Sequence, residues 1–459
     1  MPEAPVYTPA GSTRRRVGVM LALAWPSILE QILLTLTSFV DTAMVGSLGP
    51  AATAAVSVNI TLAWLTGGLL MGAAVGFSVQ VAQGVGAREV ERTRAVLRQS
   101  VSAAFFCGGL LGLLLASLSH FLPFWLGAGA DVLPGARSYL FFWSLGVPFL
   151  SCLNVFGACF RCMGNTRLPL VVDVGANLLN VVLNYFLIFP TREVVLFGGF
   201  TMPGAGMGVG GAALATALAN AAGGLTLLLC LFQRENVFQI RRSESFRPDG
   251  AILRRAFSLG LPTSLERASL NLGQVFVTRV VATLGTAALA ANHVAVTAEA
   301  LCYLPAYGIS AAATALVGQS VGAAEHREAR SYGFLSAGAG FLLCTLTGAA
   351  LNLFSVPLSS LFTNDPAVAR EAAGLLRLIS WIEPVFAVSI ILSGALRGRG
   401  DTKFPAVMCL VSMWGLRVPL ALLFVFRTGL GLWGVWLAMG IDILGRGAAC
   451  VTRWVRKRE

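Results

Sequence analysis

From Thr42 through Ala87 the chain carries no Asp, Glu, Lys or Arg, and the same holds from Val194 to Gln233 and from Ser331 to Asn364. Each run exceeds the roughly 20 apolar residues that a helix needs to cross a bilayer. No water-soluble core uses uncharged surface on that scale. Composition agrees: 56% of the 459 residues are hydrophobic and 12% charged, with mean hydropathy +0.76, against about 25% charged in an ordinary soluble chain. The first apolar stretch is followed by many more and lacks a small-residue cleavage pattern, so it reads as a span and not as a removed signal peptide. The expected class is an all-α integral membrane protein. The apolar runs place twelve helices between residues 17 and 452, among them single helices over 256–283, 372–396 and 405–426.

A net charge of +12 could point to nucleic acid, but its placement argues otherwise. With the amino terminus inside, 24 of the 33 basic residues fall on inner segments, and the outer loops hold Arg137, Arg192, Arg370 and Arg427. The excess of Lys and Arg on one side sets orientation, which puts both termini in the cytoplasm and leaves no need for a nucleic-acid partner. The nine cysteines lie almost entirely inside apolar runs, where free Cys behaves as a small hydrophobe. Cys159 and Cys162 form a lone CxxC, a weak zinc signal without a second pair.

Sliding the sequence over itself by 236 residues aligns the two halves without a gap from about Trp25 to Val171. Trp25-Pro26 with Glu30 matches Leu261-Pro262 with Glu266, and SLGPAATAAVSV from Ser47 matches TLGTAALAANHV from Thr283. VAQGVGAREVERTR from Val81 matches VGQSVGAAEHREAR from Val317, and FRCMGNTRLPLV from Phe160 matches LRGRGDTKFPAV from Leu396. A later match of Met207-Gly208-Val209 to Trp433-Gly434-Val435 needs an offset of 226, so the first half carries about ten extra residues in its last outer hairpin. Six helices per half is an even number, so both halves take the same orientation, as in transporters built from parallel repeats around a path near mid-membrane. The organisation read from this is a tail over 1–16, a first lobe over 17–232, a basic linker over 233–255, a second lobe over 256–452 and a basic tail over 453–459.

The motifs PSILEQILLTLTSFVDTAMVGSLGP, FRCMGNTRLP, NLLNVVLNYFLIF, GLPTSLE, ATALVGQSVGA and LRGRGDTKFP resemble the multidrug and toxic compound extrusion family of antiporters, and the likeness runs from about Leu21 to Cys450. The resemblance implies a V-shaped pair of six-helix bundles in the cell membrane. Such a protein exports organic cations in exchange for sodium ions or protons, works as a monomer and needs no other cofactor.

Ionisable residues inside a membrane are functional candidates because they are costly to bury. Glu30 and Asp41 stand eleven positions apart on the first helix, close to three turns and about 16 Å along the axis, with Pro26 just before them removing one backbone hydrogen bond. Asn177, Asn180 and Asn184 recur at i, i+3 and i+7 on the fifth helix. Amide oxygens beside one carboxylate suit a monovalent cation. In part of the family an aspartate of the first helix joins an Asn and an Asp of the fifth and a Thr of the sixth. By motif these fall on Asp41, Asn180, Asn184 and Thr216, and Asn184 departs from the pattern in being an amide that takes up no proton. The competing account of the Asn stripe is helix-to-helix hydrogen bonding.

Glu266, the repeat mate of Glu30, and Glu299, which stands where the first half has Ala63, would give a central cleft negative charge that attracts cations. Asn154 and Asn177 join Glu30, Glu266 and Glu299 as candidate substrate-binding residues. The competing account of Glu266 is an ion pair with Arg267 or Arg279. Asp442 and Arg446, at i and i+4, read as a structural salt bridge. Trp64, Tyr139, Trp143, Tyr303, Tyr307 and Trp381 could stack on a flat cation, although interfacial and packing roles account for such residues as well.

Three rivals remain at this level. A lipid-linked precursor flippase of the same superfamily would need a cationic cleft, and the intramembrane acids outnumber what Arg279 and Arg417 offer. A major-facilitator transporter would carry its own basic loop after the second helix, which QGVGAREVERTR lacks. A membrane enzyme would need a catalytic constellation, and three scattered histidines supply none.

Overall fold

The computed structural model describes residues 12–194, 200–233, 238–241, 244 and 246–456. Most of the 1–16 tail, part of the 233–255 linker and the end of the 453–459 tail therefore lie outside the described residues. The first half runs α1 (Thr13–Gly46), α2 (Pro50–Gly86), α3 (Val90–Leu118), the short α4 (Leu122–Trp125), α5 (Leu133–Cys162) and α6 (Arg167–Ile188). A hairpin of β1 (Pro190–Val194) and β2 (Phe200–Ala205), paired antiparallel, leads into α7 (Gly208–Leu231). The second half runs α8 (Gly250–Ala282), α9 (Thr286–Gly322), α10 (His326–Leu353), the short α11 (Ser355–Ser360), α12 (Pro366–Ser380) and α13 (Glu383–Gly398). It ends with α14 (Lys403–Ser412), a π-helical turn over Met413–Arg417, α15 (Val418–Phe426) and α16 (Gly431–Arg456).

This is the all-α membrane architecture of twelve spans. Among the described residues ten helices are long and apolar enough to cross a bilayer, counting α14 to α15 as one, and the bent pair of α12 and α13 makes an eleventh. The twelfth is α8, whose 33 residues suffice in length although Arg254, Arg255, Glu266, Arg267 and Arg279 dilute its apolar character.

Two spans differ from the sequence expectation. The single helix expected over 372–396 is two helices that meet at 59°. Pro384, in the first turn of α13, has no N–H to give to a preceding turn, so the break falls just before it. The helix expected over 405–426 contains the π turn Met413–Arg417, a widening that inserts one residue and re-aims the side chains around it.

The duplication is written into the backbone. Gly49 and Gly285 take φ of 110° and 106°, and Gly164 and Gly400 take 91° and 88°, each pair 236 residues apart. Arg88 and Ala324, also 236 apart, are the two non-glycine residues at positive φ among the described residues, at 58° and 60°. Near the end of each half Gly206 and Gly208 at 63° and 56° correspond to Gly429 and Gly431 at 69° and 55°. That correspondence is an offset of 223, which moves the letter match at Met207 by three residues, because the turn conformation and not residue identity sets the helix start. The β hairpin occupies the extra length.

The chain divides into two compact units. One takes Met1–Ile32, Ala82–Arg88 and Leu261–Glu459, and the other Leu33–Val81 and Glu89–Gly260. In the first unit Met20, Leu23 and Ala24 of α1 pack with Ile309, Leu316, Ile391 and Trp454, while Val281, Leu375, Trp436 and Ile443 form a second cluster. In the second unit Leu70, Leu140, Trp143 and Val147 pack together. Small residues let helices approach: a Cβ on Gly146 of α5 would stand 2.6 Å from Ala217 Cα of α7, and one on Gly224 would stand 2.7 Å from the Phe149 carbonyl oxygen. Close backbone approach replaces hydrophobic drive as the source of helix association in lipid, and large apolar side chains such as Phe106, Leu113 and Leu361 accordingly stay exposed.

Candidate ion-coupling site

Inside the second compact unit three helices bring four polar side chains into one chain of hydrogen bonds. Asp41 comes from α1, Asn180 and Asn184 from successive turns of α6, and Thr216 from α7. Asn184 Nδ2 donates to Asp41 Oδ1 at 2.6 Å and lies 3.1 Å from Asn180 Oδ1, while Asn180 Nδ2 stands 3.1 Å from Thr216 Oγ1. Thr216 in turn donates to the Ala212 carbonyl at 3.0 Å, the back-bond that fixes a helical threonine. The spacing explains the assembly: residues four apart share a helix face, so Asn180 and Asn184 both reach the side on which Asp41 and Thr216 lie.

Two features define the polar balance of the cluster. First, the Asn180 amide satisfies its neighbours when turned over. Its nitrogen then donates to Asp41 Oδ1 at 2.8 Å and its oxygen accepts from the Thr216 hydroxyl at 3.1 Å. Second, Asn184 is buried and its Oδ1 has no hydrogen-bond partner. A buried acceptor left unmade costs about 1–3 kcal/mol, and either a cation or the proton of a neutral Asp41 would satisfy it. Oxygen donors from one carboxylate, two amides and a hydroxyl match a hard monovalent ion. Tyr139 of α5 lies close enough to feel the Asp41 charge. Sequence reasoning placed Tyr139 among general aromatic candidates, and nothing in its spacing tied it to this carboxylate.

The other candidates make their own contacts. Glu266 of α8 is buried and paired with Arg397 of α13 at 2.7 Å, in place of Arg267 or Arg279 as the sequence suggested. Arg397 is itself buried. Arg267 stands over the Tyr307 ring at 5.2 Å. Glu299 of α9 is buried and interacts with Arg417 and Glu383. Asp442 bonds to Arg446 at 2.8 Å, accepts from Ser412 and has Arg417 at 4.0 Å, so the expected i, i+4 bridge forms within a larger network. Glu30 is buried on α1, Asn177 is half-buried, and Asn154 donates to the Leu150 carbonyl of its own helix at 2.9 Å. Trp64 and Trp381 are exposed.

Comparison with known proteins identifies the family. The MatE family model matches residues 26–186 and 262–423, one match per repeat. A relative from Thermotoga maritima named probable multidrug resistance protein NorM is 30% identical over 431 residues, covering 93% of this chain and 89% of its own. Multidrug resistance protein PmpM of Pseudomonas aeruginosa is 27% identical, covering 97% and 94%. Among solved structures, an outward-facing multidrug resistance MATE transporter of the MOP superfamily superposes with TM-score 0.86 at 24% identity over 97% of each chain. With both repeats matched by the family model and near full-length relatives at this identity, the chain belongs to the MatE family of multidrug and toxic compound extrusion transporters.

Proposed function

We propose that this protein exports organic cations across the cell membrane in exchange for sodium ions or protons, with Asp41 as the coupling group. The observation that carries the reading is the linked set of Asp41, Asn184, Asn180 and Thr216 with the Asn184 oxygen left over. In the charged state Asp41 accepts from amide nitrogens. When the ion arrives its oxygens turn to the ion, or its added proton reaches the Asn184 oxygen, so loading rearranges hydrogen bonds across three helices. Two ligands that favour different arrangements of one protein lower each other's affinity. One charge crossing 100 mV is worth about 2.3 kcal/mol, which is enough for a single exchanged ion to drive export.

Buried acids favour cationic cargo. Glu30, Glu266 and Glu299 supply negative charge and Asn154 and Asn177 neutral hydrogen-bonding groups, with Arg397 reducing what Glu266 offers. Buried arginines do not turn the reading toward an anionic lipid carrier: Arg397 and Arg446 each hold a carboxylate, and Arg417 has one at 4.0 Å. Both termini face the cytoplasm, as the basic inner segments favour, and the working form is a monomer.

The test is ethidium efflux from proteoliposomes under an imposed sodium or proton gradient, with wild type and Asp41→Asn side by side. Export that follows one gradient and vanishes in the variant supports the assignment and names the ion. Efflux that keeps its ion dependence in Asp41→Asn overturns it. No export under either gradient favours the flippase alternative.

A further inference from the structure

The second repeat buries a cluster that transport by the Asp41 site does not use. Cys302 of α9, Cys344 of α10 and Glu383 of α13 place two thiol sulfurs and a carboxylate oxygen within 4.8 Å of one another. All three residues are buried, at 3%, 0% and 0% exposure. Among the described residues no other three His, Cys, Asp or Glu side chains meet this way.

The thiols have ordinary partners. Cys302 Sγ lies 3.0 Å from Thr347 Oγ1, and Cys344 Sγ donates to the Cys302 carbonyl at 3.5 Å. Glu383 does not: neither of its carboxylate oxygens makes a hydrogen bond of normal geometry. The side chains that act on it are Glu299, Cys302 and Tyr303, and none of them is a cation. An ionised carboxylate taken out of water without a positive partner costs several kcal/mol. The fold also places Glu383 at the break between α12 and α13.

We infer that Cys302, Cys344 and Glu383 form a binding site for a thiophilic divalent cation of the zinc and cadmium class. Two soft sulfurs and carboxylate oxygen are the donor set of tetrahedral zinc and cadmium and a poor one for sodium or calcium. Bonds of roughly 2.0–2.3 Å put tetrahedral donors about 3.6 Å apart, so closure needs about 1 Å of side-chain adjustment. Binding displaces the two thiol protons, leaving thiolates on the metal, and ties α9, α10 and α13 together. The one competing account is a Glu383 that stays protonated against Glu299 beside two packing thiols.

The experiment is titration of the purified, reduced, chelator-treated full chain in lipid nanodiscs with cadmium chloride, read by the ultraviolet thiolate-to-cadmium absorption band and by thermal denaturation. The inference expects about one cadmium per chain and a raised melting temperature. It expects loss of the band in Cys302→Ser and in Cys344→Ser, and about tenfold or more weaker binding in Glu383→Gln. The latter is nearly isosteric with the protonated acid and keeps the fold testable if a cysteine variant misfolds. The double variant Cys159→Ser, Cys162→Ser, which removes the other close thiol pair, keeps the band. Absence of a stoichiometric band, an adventitious band that survives Cys344→Ser, or binding unchanged in Glu383→Gln overturns the inference in favour of the protonated pair.

Discussion

Val147 in the first repeat and Glu383 in the second stand 236 residues apart, at the same place in the duplicated plan, and each is followed by a proline, Pro148 and Pro384. Around Val147 the helix α5 runs through its proline, packed among Leu140, Trp143 and Leu70. At Glu383 the chain breaks into α12 and α13 at 59°. The packing next to them is otherwise the same: a Cβ on Gly112 would stand 2.8 Å from the Ser144 carbonyl oxygen, and on its mate Gly348 2.7 Å from that of Ser380. The other mates diverge. Gly108 corresponds to Cys344, Thr66 to Cys302, Ala63 to Glu299, and Asp41 to Val277. Turns and small-residue contacts hold the shared backbone, so the polar positions were free to separate. Asp41 and Glu383 each have an apolar mate in the other repeat, Val277 and Val147.

The sharpest way to break this comparison is at Asp41. If ion chemistry resides in the first repeat alone, Asp41→Asn lowers gradient-driven efflux by about tenfold or more while the protein still inserts and melts cooperatively. Retained coupling would move that chemistry elsewhere. Next in size is Asp442→Asn in the second repeat, which leaves buried Arg446 without its carboxylate and Arg417 with Glu299 alone. A broken buried pair costs about 3–5 kcal/mol, read as a fall in the denaturation midpoint in detergent; an unchanged midpoint would mean that charge pairing does not hold this interior.

Placing the second repeat's letter in the first, Gly108→Cys, sharpens the contrast in packing. Its Cβ would stand 2.6 Å from Ser151 Cβ and 2.7 Å from Pro148 Cα, and overpacking of this kind costs about 1–3 kcal/mol. A neutral result would show that α3 and α5 can make room for the thiol that the second repeat carries at this position. The smallest effect is expected from relieving the two matched left-handed residues. Arg88→Gly and Ala324→Gly should each stabilise by about 0.5 kcal/mol, since the strain removed slightly exceeds the entropy glycine adds to the unfolded chain. Thermal denaturation of both variants should move together, and opposite shifts would mean that the repeats carry different strain at this turn.

Several of these features were legible before any coordinates. The spans follow from uncharged runs because the bilayer imposes a length, and the repeat from four anchors with one offset. Asn180 and Asn184 follow from helical periodicity, which is a local property. The break before Glu383 was not legible. Pro148 and Pro384 are the same letter at the same repeat position, and only packing distinguishes a helix that runs through its proline from one that stops. The π turn at Met413–Arg417 likewise leaves no clear mark in a run as apolar as its neighbours.

The sequence by itself determined the solvent this protein folds in, its twelve-span duplicated plan, its family, and the residue types gathered at Asp41. These are properties of composition, periodicity and repetition, which survive without knowledge of distance. Only the tertiary structure decided that Glu266 pairs with Arg397, that Asn184 keeps a buried oxygen without a partner, and that Cys302, Cys344 and Glu383 meet. The physical reason is that in a low-dielectric interior the state of a polar group depends on what lies within a few ångströms on another helix, and residues on different helices, far apart in the chain, carry no local signal of that proximity.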